Sequence, residues 1–179
     1  SSPVSSVNFV HGSGGVDFTS YKEYIFYFVN LHPNSNSEPD IKVNFSIDGG
    51  SNYNVTKTST GFYARHAEND DFASIAYEAA WGLAQSTGNQ LVGHNMEGAD
   101  ADASLCGFLQ LFNPSSTTFV KHYIGTVSYM HDYPAAWNQF FAGYCNTTSA
   151  IDAVSFIGEY AEGQSGNIDS GQILLFGLN

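Results

Sequence analysis

The chain has 179 residues, with five Lys and Arg against 17 Asp and Glu, which gives a formal net charge of −12. Aromatic residues make up 15% of it and charged residues only 12%. This composition excludes intrinsic disorder, because disordered chains contain few aromatic side chains. Five scattered cations cannot form a basic face, so we expect no nucleic acid among the partners. The length suits a single globular domain.

Eight segments, separated by turns rich in Gly, Asn, Ser and Pro, have the pattern of β-strands. The clearest covers residues 41–47, where Ile41, Val43, Phe45 and Ile47 alternate with polar residues and are expected to face a core. Residues 24–31 are almost continuously apolar, which is typical of a strand buried on both faces. The other candidate strands are residues 4–10, 105–112, 119–130, 139–144, 154–160 and 173–176.

One segment near residues 71–88 breaks this rhythm. Asp70 or Asp71 could cap a helix at its start, and Gly88 follows its end. We therefore expect one short helix or an irregular excursion there. The apolar residues at helical spacing are Phe72, Ile75, Ala76, Ala79, Ala80 and Leu83.

The number of strands and their spacing predict an all-β fold, an antiparallel β-sandwich that is jelly-roll-like. Since no compositional break marks a linker, we expect one domain at residues 16–179. Residues 1–15 are predicted to form an N-terminal arm that orders on a neighbouring subunit. The longest apolar run, residues 24–29, is far shorter than the roughly 20 residues of a membrane-spanning helix, so no membrane association is expected.

The two cysteines, Cys106 and Cys145, lie too far apart in the sequence for a C-x-x-C motif. Free cysteine behaves as a small core residue, so two buried thiols are favoured over one disulfide.

Motifs of catalysis and cofactor binding are missing from the sequence. It has no nucleophile elbow, zinc-protease helix, phosphate-binding loop or dinucleotide fingerprint. We therefore expect neither enzymatic activity nor a bound cofactor. Paired carboxylates for glycoside hydrolysis stay open at this point, because their separation is set in space and not in sequence.

Two acidic clusters are weak candidates for a metal site. One contains Asp70 and Asp71, and the other contains Asp100 and Asp102. Alternating carboxylates can supply oxygens to Ca²⁺, but neither cluster matches the calcium loop of an EF-hand. A solvated acidic loop is the favoured interpretation, so no metal is expected.

Tyr129, Tyr133 and Trp137 lie close together in an aromatic-rich stretch and are candidate interface residues. If exposed, they would mark a surface for a partner, or a platform on which a sugar ring stacks. A loop folded over the end of the sandwich explains the same residues equally well.

Several stretches carry motifs made of turn and strand residues. They are residues 19–26 (TSYKEYIF), 47–56 (IDGGSNYNVT), 111–118 (LFNPSSTT), 120–122 (VKH), 143–152, 165–173 (SGNIDSGQI) and 175–177 (LFG). In these motifs the sequence resembles a group of small structural proteins of tailed bacteriophages, especially marine and cyanophage-like ones. The likeness extends from about Asp17 to the end of the chain. It implies a β-sandwich component of the virion and no active site.

A small acidic sandwich of this kind suits a capsid decoration (cement) protein on the outer surface of the particle. The resemblance then implies contacts with the major capsid protein or neighbouring virion subunits, and assembly as a homo-trimer. Tyr, which is abundant here, is favoured at protein interfaces. The alternative is a tail or fibre domain that recognises a glycan of the host surface.

Overall fold

A computed structural model describes residues 2–34, 38–160 and 164–179 of the chain. The strands in this part of the chain are β1 (Ser6–Val10), β2 (Glu23–Asn34), β3 (Asp40–Ser46), β4 (Lys57–Ala67), β5 (Ala73–Tyr77), β6 (Gln90–Gly93), β7 (Leu105–Phe112), β8 (Lys121–His131), β9 (Ala135–Cys145), β10 (Ala153–Tyr160), β11 (Gln164–Ser165) and β12 (Asn167–Leu178). No helix of the described residues is both long enough and apolar enough to cross a membrane.

The strands form two antiparallel sheets that pack as a sandwich. The small sheet has the order β1-β10-β3-β6, with β11 added beside β10, and the large sheet has the order β12-β2-β7-β8-β9-β4-β5. Successive strands often change sheet: β1, β3, β6 and β10 belong to the small sheet, whereas β2, β4, β7 and β12 belong to the large one. The predicted all-β antiparallel sandwich is confirmed, and the alternation of strands between the sheets is jelly-roll-like.

The core between the sheets is built from strand residues that alternate in direction. Ile41, Val43 and Phe45 of β3 are all fully buried, and the Phe45 ring lies 5.3 Å from the Tyr123 ring of the opposite sheet. Ile47 was expected to face the core as well, but it is 43% exposed. Strand β3 ends at Ser46, and a turn then carries the chain away from the core.

The short helix, one of the two alternatives expected near residues 71–88, is not formed. Residues Ala73–Tyr77 form strand β5, which pairs with β4, and a single 3₁₀ turn follows at Ala79–Trp81. Asp70 adopts a positive φ of 65° in the turn between β4 and β5 and caps no helix. The pattern misled because β5 is an edge strand whose side chains are exposed or half-buried, so burial imposed no apolar alternation on its sequence.

Strand β1 lies inside the segment predicted as an N-terminal arm, residues 1–15. Each of its five residues pairs with β10. The Phe9 ring contacts the core rings of Phe26 and Phe156, at centroid distances of 5.2 and 6.2 Å. The role of this segment in holding a neighbouring subunit stays a prediction.

Candidate functional site

The outward-facing side of the large sheet carries a continuous row of apolar side chains. Cross-strand pairing places one residue from each of the seven strands side by side, and all but Thr126 are large apolar or aromatic residues. In spatial order they are Leu174, Tyr27, Phe108, Thr126, Phe140, Phe62 and Tyr77. Tyr27, Phe62 and Tyr77 are 42%, 44% and 65% exposed. We call this row and the neighbouring row along the strands the outer face.

The neighbouring row adds further apolar area to the outer face. Its members are Phe176, Ile25, Gln110, Ile124, Ala142 and Thr60. Phe176 is 50% exposed and Ile124 is 43% exposed. A shallow groove of ≈ 370 Å³ runs between Phe62, Ile124 and Phe140. None of the residues in the two rows carries a charge, although the chain as a whole has a net charge of −12.

The outer face departs from the usual design of a sandwich. An antiparallel sheet in a soluble sandwich normally turns apolar side chains to the core and polar ones to water. A contiguous apolar patch that spans a sheet is typical of a surface covered by a partner. The outer face can therefore hold a protein neighbour by apolar burial.

A cleft of ≈ 470 Å³ between the two sheets is the second candidate, and we call it the Arg65 cleft. It is lined by residues of β3 and β6 on one side, by residues of β4, β8 and β9 on the other, and by the 3₁₀ turn. Its lining includes Asp40, Arg65, Glu78, Trp81, His94 and Trp137.

The three predicted interface residues occupy different environments around this cleft. Tyr129 and Trp137 are only 3% and 6% exposed, whereas Tyr133 is 67% exposed in the turn between β8 and β9. Rings of Tyr63 and His131 stack on Trp137 at centroid distances of 4.4 and 4.3 Å. Because β9 lies between β8 and β4, these two rings cover opposite faces of the indole.

The covered indole has a direct consequence for sugar binding. A stacking platform needs one free aromatic face, and Trp137 has none. Of the three residues, Tyr133 is the one that can offer a large area to a partner, and its interface role stays a prediction.

Hydrogen bonds engage the carboxylates of the Arg65 cleft. Asp40 forms an ion pair with Lys42 at 3.3 Å, and its Oδ1 lies 3.0 Å from Nδ1 of His94. Burial opposes ionisation of the Asp40 carboxyl, but the contacts with His94 and the Asn95 amide outweigh it and lower its pKa. The Glu78 carboxylate accepts a hydrogen bond from the Ala80 amide.

The weak metal candidates lie in separate loops. Asp70 and Asp71 are in the turn after β4, where Asp70 contacts Nε2 of His66 at 2.8 Å and Asp71 accepts a hydrogen bond from Asn69. Asp100 and Asp102 lie in the loop before β7. Across residues 2–34, 38–160 and 164–179, no group of three or more His, Cys, Asp and Glu side chains could hold a metal ion.

The cysteines are both free thiols. The prediction of two buried thiols is right for Cys145 and wrong for Cys106, which is exposed on β7. Residues on β7 alternate between the core and the solvent, and the register places Cys106 on the solvent side beside Ser128.

Two lysines that the sequence analysis did not single out are completely buried. Lys57 and Lys121 are the cross-strand neighbours of Cys145 on either side. The Lys57 ammonium donates to Asn44 Oδ1 and to the Val55 carbonyl, both at 2.6 Å. Burial lowers the pKa of Lys57 to about 8. A lysine is ordinarily expected in solvent. The alternation of inward-facing and outward-facing residues along β4 is the one sequence signal that could have indicated the burial of Lys57.

Comparison with known proteins adds no relative. No protein-family model, curated protein or solved structure matches the chain. The two surfaces are therefore interpreted from their own chemistry.

Proposed function

We propose that the protein is a structural component of a tailed-bacteriophage particle, a decoration (cement) protein on the outer surface of the capsid. The sequence motifs that resemble phage structural proteins support it, and so does the sandwich fold, which suits a rigid surface subunit. The observation that carries the proposal is the uncharged apolar outer face. In this proposal the protein is not an enzyme, and its contacts with neighbouring subunits are its function.

The size of the outer face suits one of many weak protein contacts. Seven strands about 4.8 Å apart span roughly 30 Å, and two rows of same-side residues cover about four residues along each strand, or roughly 13 Å. The product, about 390 Å², is about half of the roughly 800 Å² that each partner contributes to a standard interface.

Other copies of the same chain are the proposed occupants of this face. Copies with a net charge of −12 repel one another, and an uncharged surface is where they approach at the lowest electrostatic cost. We propose that copies meet there in a homo-trimer, and that the remaining acidic surface contacts the major capsid protein. Many weak contacts of this kind stabilise a shell through avidity.

Counting the protein in purified particles tests the proposal. Quantitative mass spectrometry with isotope-labelled peptides of this chain should find on the order of hundreds of copies per particle, as a surface lattice requires. A count of tens or fewer would favour the alternative, a tail or fibre domain that binds a host glycan. Absence from the particle would overturn a virion role.

A second experiment addresses catalysis. The purified protein should leave host surface polysaccharide uncleaved. Release of oligosaccharides by the wild-type protein would contradict the non-enzymatic role.

A further inference from the structure

We propose that the Arg65 cleft is a binding site for an acidic sugar, whose carboxylate is held by the guanidinium of Arg65. The site goes beyond the proposed virion role and does not depend on it. Three features of the cleft support it. Aromatic rings fix the Arg65 side chain, no carboxylate pairs with its guanidinium among the described residues, and polar groups that can bind sugar hydroxyls line the cleft.

Aromatic rings hold the Arg65 side chain in place. Its guanidinium carbon lies 4.8 Å from the ring of Phe72, 5.3 Å from that of Trp137 and 5.5 Å from that of Tyr63. Its Nε donates a hydrogen bond to Ser74 Oγ at 3.0 Å. A half-buried guanidinium fixed by stacking is already oriented before a ligand arrives, which reduces the entropy lost on binding.

The fixed guanidinium has no acidic partner of its own. In the part of the chain that the structure describes, no Asp or Glu forms an ion pair with Arg65. The carboxylates that line the cleft are engaged elsewhere, Asp40 with Lys42 and Glu78 with the Ala80 amide. Such an arginine can accept a carboxylate in the bidentate geometry that its planar fork favours.

The neighbouring histidine does not supply a second positive charge. His131 lies against Trp137, and burial lowers its pKa to about 4, so its ring is neutral at pH 7. Lys42 is neutralised by Asp40 and Glu159, each at 3.3 Å. His94, which also lines the cleft, is engaged by Asp40 at 3.0 Å. Among the described lining residues, Arg65 is thus the cationic side chain without a carboxylate partner, and it matches one carboxylate on the ligand.

The rest of the cleft selects a sugar over an acidic peptide. Asp40 and Glu78 would repel the several charges of an acidic peptide, whereas they can accept hydrogen bonds from sugar hydroxyls. The Asn89 amide donates to Glu159 and accepts from Asn44, and its second N–H and second oxygen lone pair can serve a sugar hydroxyl. A volume of ≈ 470 Å³ falls in the range of small-molecule sites and accommodates one or two sugar rings. A hexuronic acid combines one carboxylate with several hydroxyls and fits this pattern.

NMR titration of the intact protein tests the site. Arg65 is the single arginine of the sequence, so its side-chain Nε–H signal reports on the cleft without any mutation. Glucuronate and galacturonate should shift this signal saturably, and the neutral sugars glucose and galactose should not. An unmoved signal at saturating uronate, or equal shifts with the neutral sugars, would overturn the proposal.

Substitutions then measure how much Arg65 contributes to uronate binding. Arg65→Gln should weaken uronate binding by about tenfold or more, and Arg65→Lys should also weaken it because lysine lacks the bidentate fork. The matched control Lys22→Gln removes an exposed cation outside the cleft and should bind as the wild type does. Equal affinity of Arg65→Gln and wild type would refute the role of Arg65. If an acidic peptide binds more tightly than uronate and displaces it, the assignment of an acidic sugar as the ligand is overturned.

Discussion

Phe62 and Phe140 stack face to face on the solvent side of the large sheet, with ring centroids 4.7 Å apart and an angle of 10° between their planes. They are direct cross-strand partners on β4 and β9, and they are 44% and 37% exposed. Such a pair stabilises a sheet by only about 0.5–1.5 kcal/mol beyond its burial. Two adjacent Phe residues that face water therefore support the proposed contact between copies at this surface.

The outer face gives the first prediction, which concerns assembly. Ile124→Glu should convert the proposed homo-trimer to monomers, because the contact would then bury an unpaired carboxylate. Molar mass by size-exclusion chromatography with light scattering measures the change. Ile47→Glu is a matched control, since Ile47 is equally exposed, at 43%, but lies outside the outer face. A wild-type protein that is monomeric at every concentration would contradict the proposed contact.

A second prediction concerns the core between the sheets. Phe45→Ala should lower the free energy of unfolding by about 3–5 kcal/mol, since Phe45 is fully buried against Tyr123. Urea denaturation monitored by fluorescence provides the value. Phe119→Ala serves as the comparison, because Phe119 is 69% exposed and its loss should change stability by no more than about 0.5 kcal/mol. Equal stability of Phe45→Ala and wild type would be inconsistent with the packing described.

The buried Lys57 predicts a pH dependence of stability. Its pKa is about 8 in the folded protein and 10.5 ordinarily, so between these values the unfolded chain binds the proton more tightly. Stability from this residue is therefore lowest below pH 8 and rises as pH increases towards 10.5. The shift corresponds to about 3 kcal/mol.

Comparison of wild type with Lys57→Met isolates this contribution from other groups that titrate in the same range. Urea denaturation at pH 7 and near pH 11 should show the wild type gaining about 3 kcal/mol relative to the variant. Relative to Lys22→Met, a substitution of an exposed lysine, the wild type should show no such gain. A difference between wild type and Lys57→Met that is the same at both pH values would rule out a depressed pKa.

The two thiols should differ sharply in reactivity. Cys106 is exposed and should react at once with Ellman's reagent, whereas Cys145 is buried and burial raises its pKa to about 12. The measurement is best made in the Ile124→Glu background, which leaves the outer face uncovered. One thiol per chain should react in the folded protein and the second on unfolding, and Cys106→Ser should remove the fast reaction. Two fast thiols in the folded protein would contradict the burial of Cys145.

The fold was predictable where one side of a strand faces the core between the sheets and the other side carries polar residues. Strand β3 shows this, because Ile41, Val43 and Phe45 had to be apolar, whereas Asn44 and Ser46 on the other side are polar even though they are buried. Strand β5 shows the opposite case. Because β5 is at the edge of the sheet, burial does not require its apolar and polar residues to alternate. Apolar residues that fall at helical spacing by chance then led to the prediction of a helix.

The candidate surfaces were less accessible to sequence reasoning. Phe62, Phe108 and Phe140 are far apart in the chain and form one row only through the pairing register of the large sheet. Arg65 and Asp40 lie on different sheets and line one cleft because the sandwich brings those sheets together.

Composition and alternation by themselves determined an all-β domain with an acidic surface, since burial requires apolar side chains at every second position of a strand. Tertiary structure alone decided which aromatic side chains turn to water, which lysines are enclosed, and which ionisable groups share a cleft. The physical reason is that strand register and sheet order are set by contacts between distant segments, and no local pattern records them.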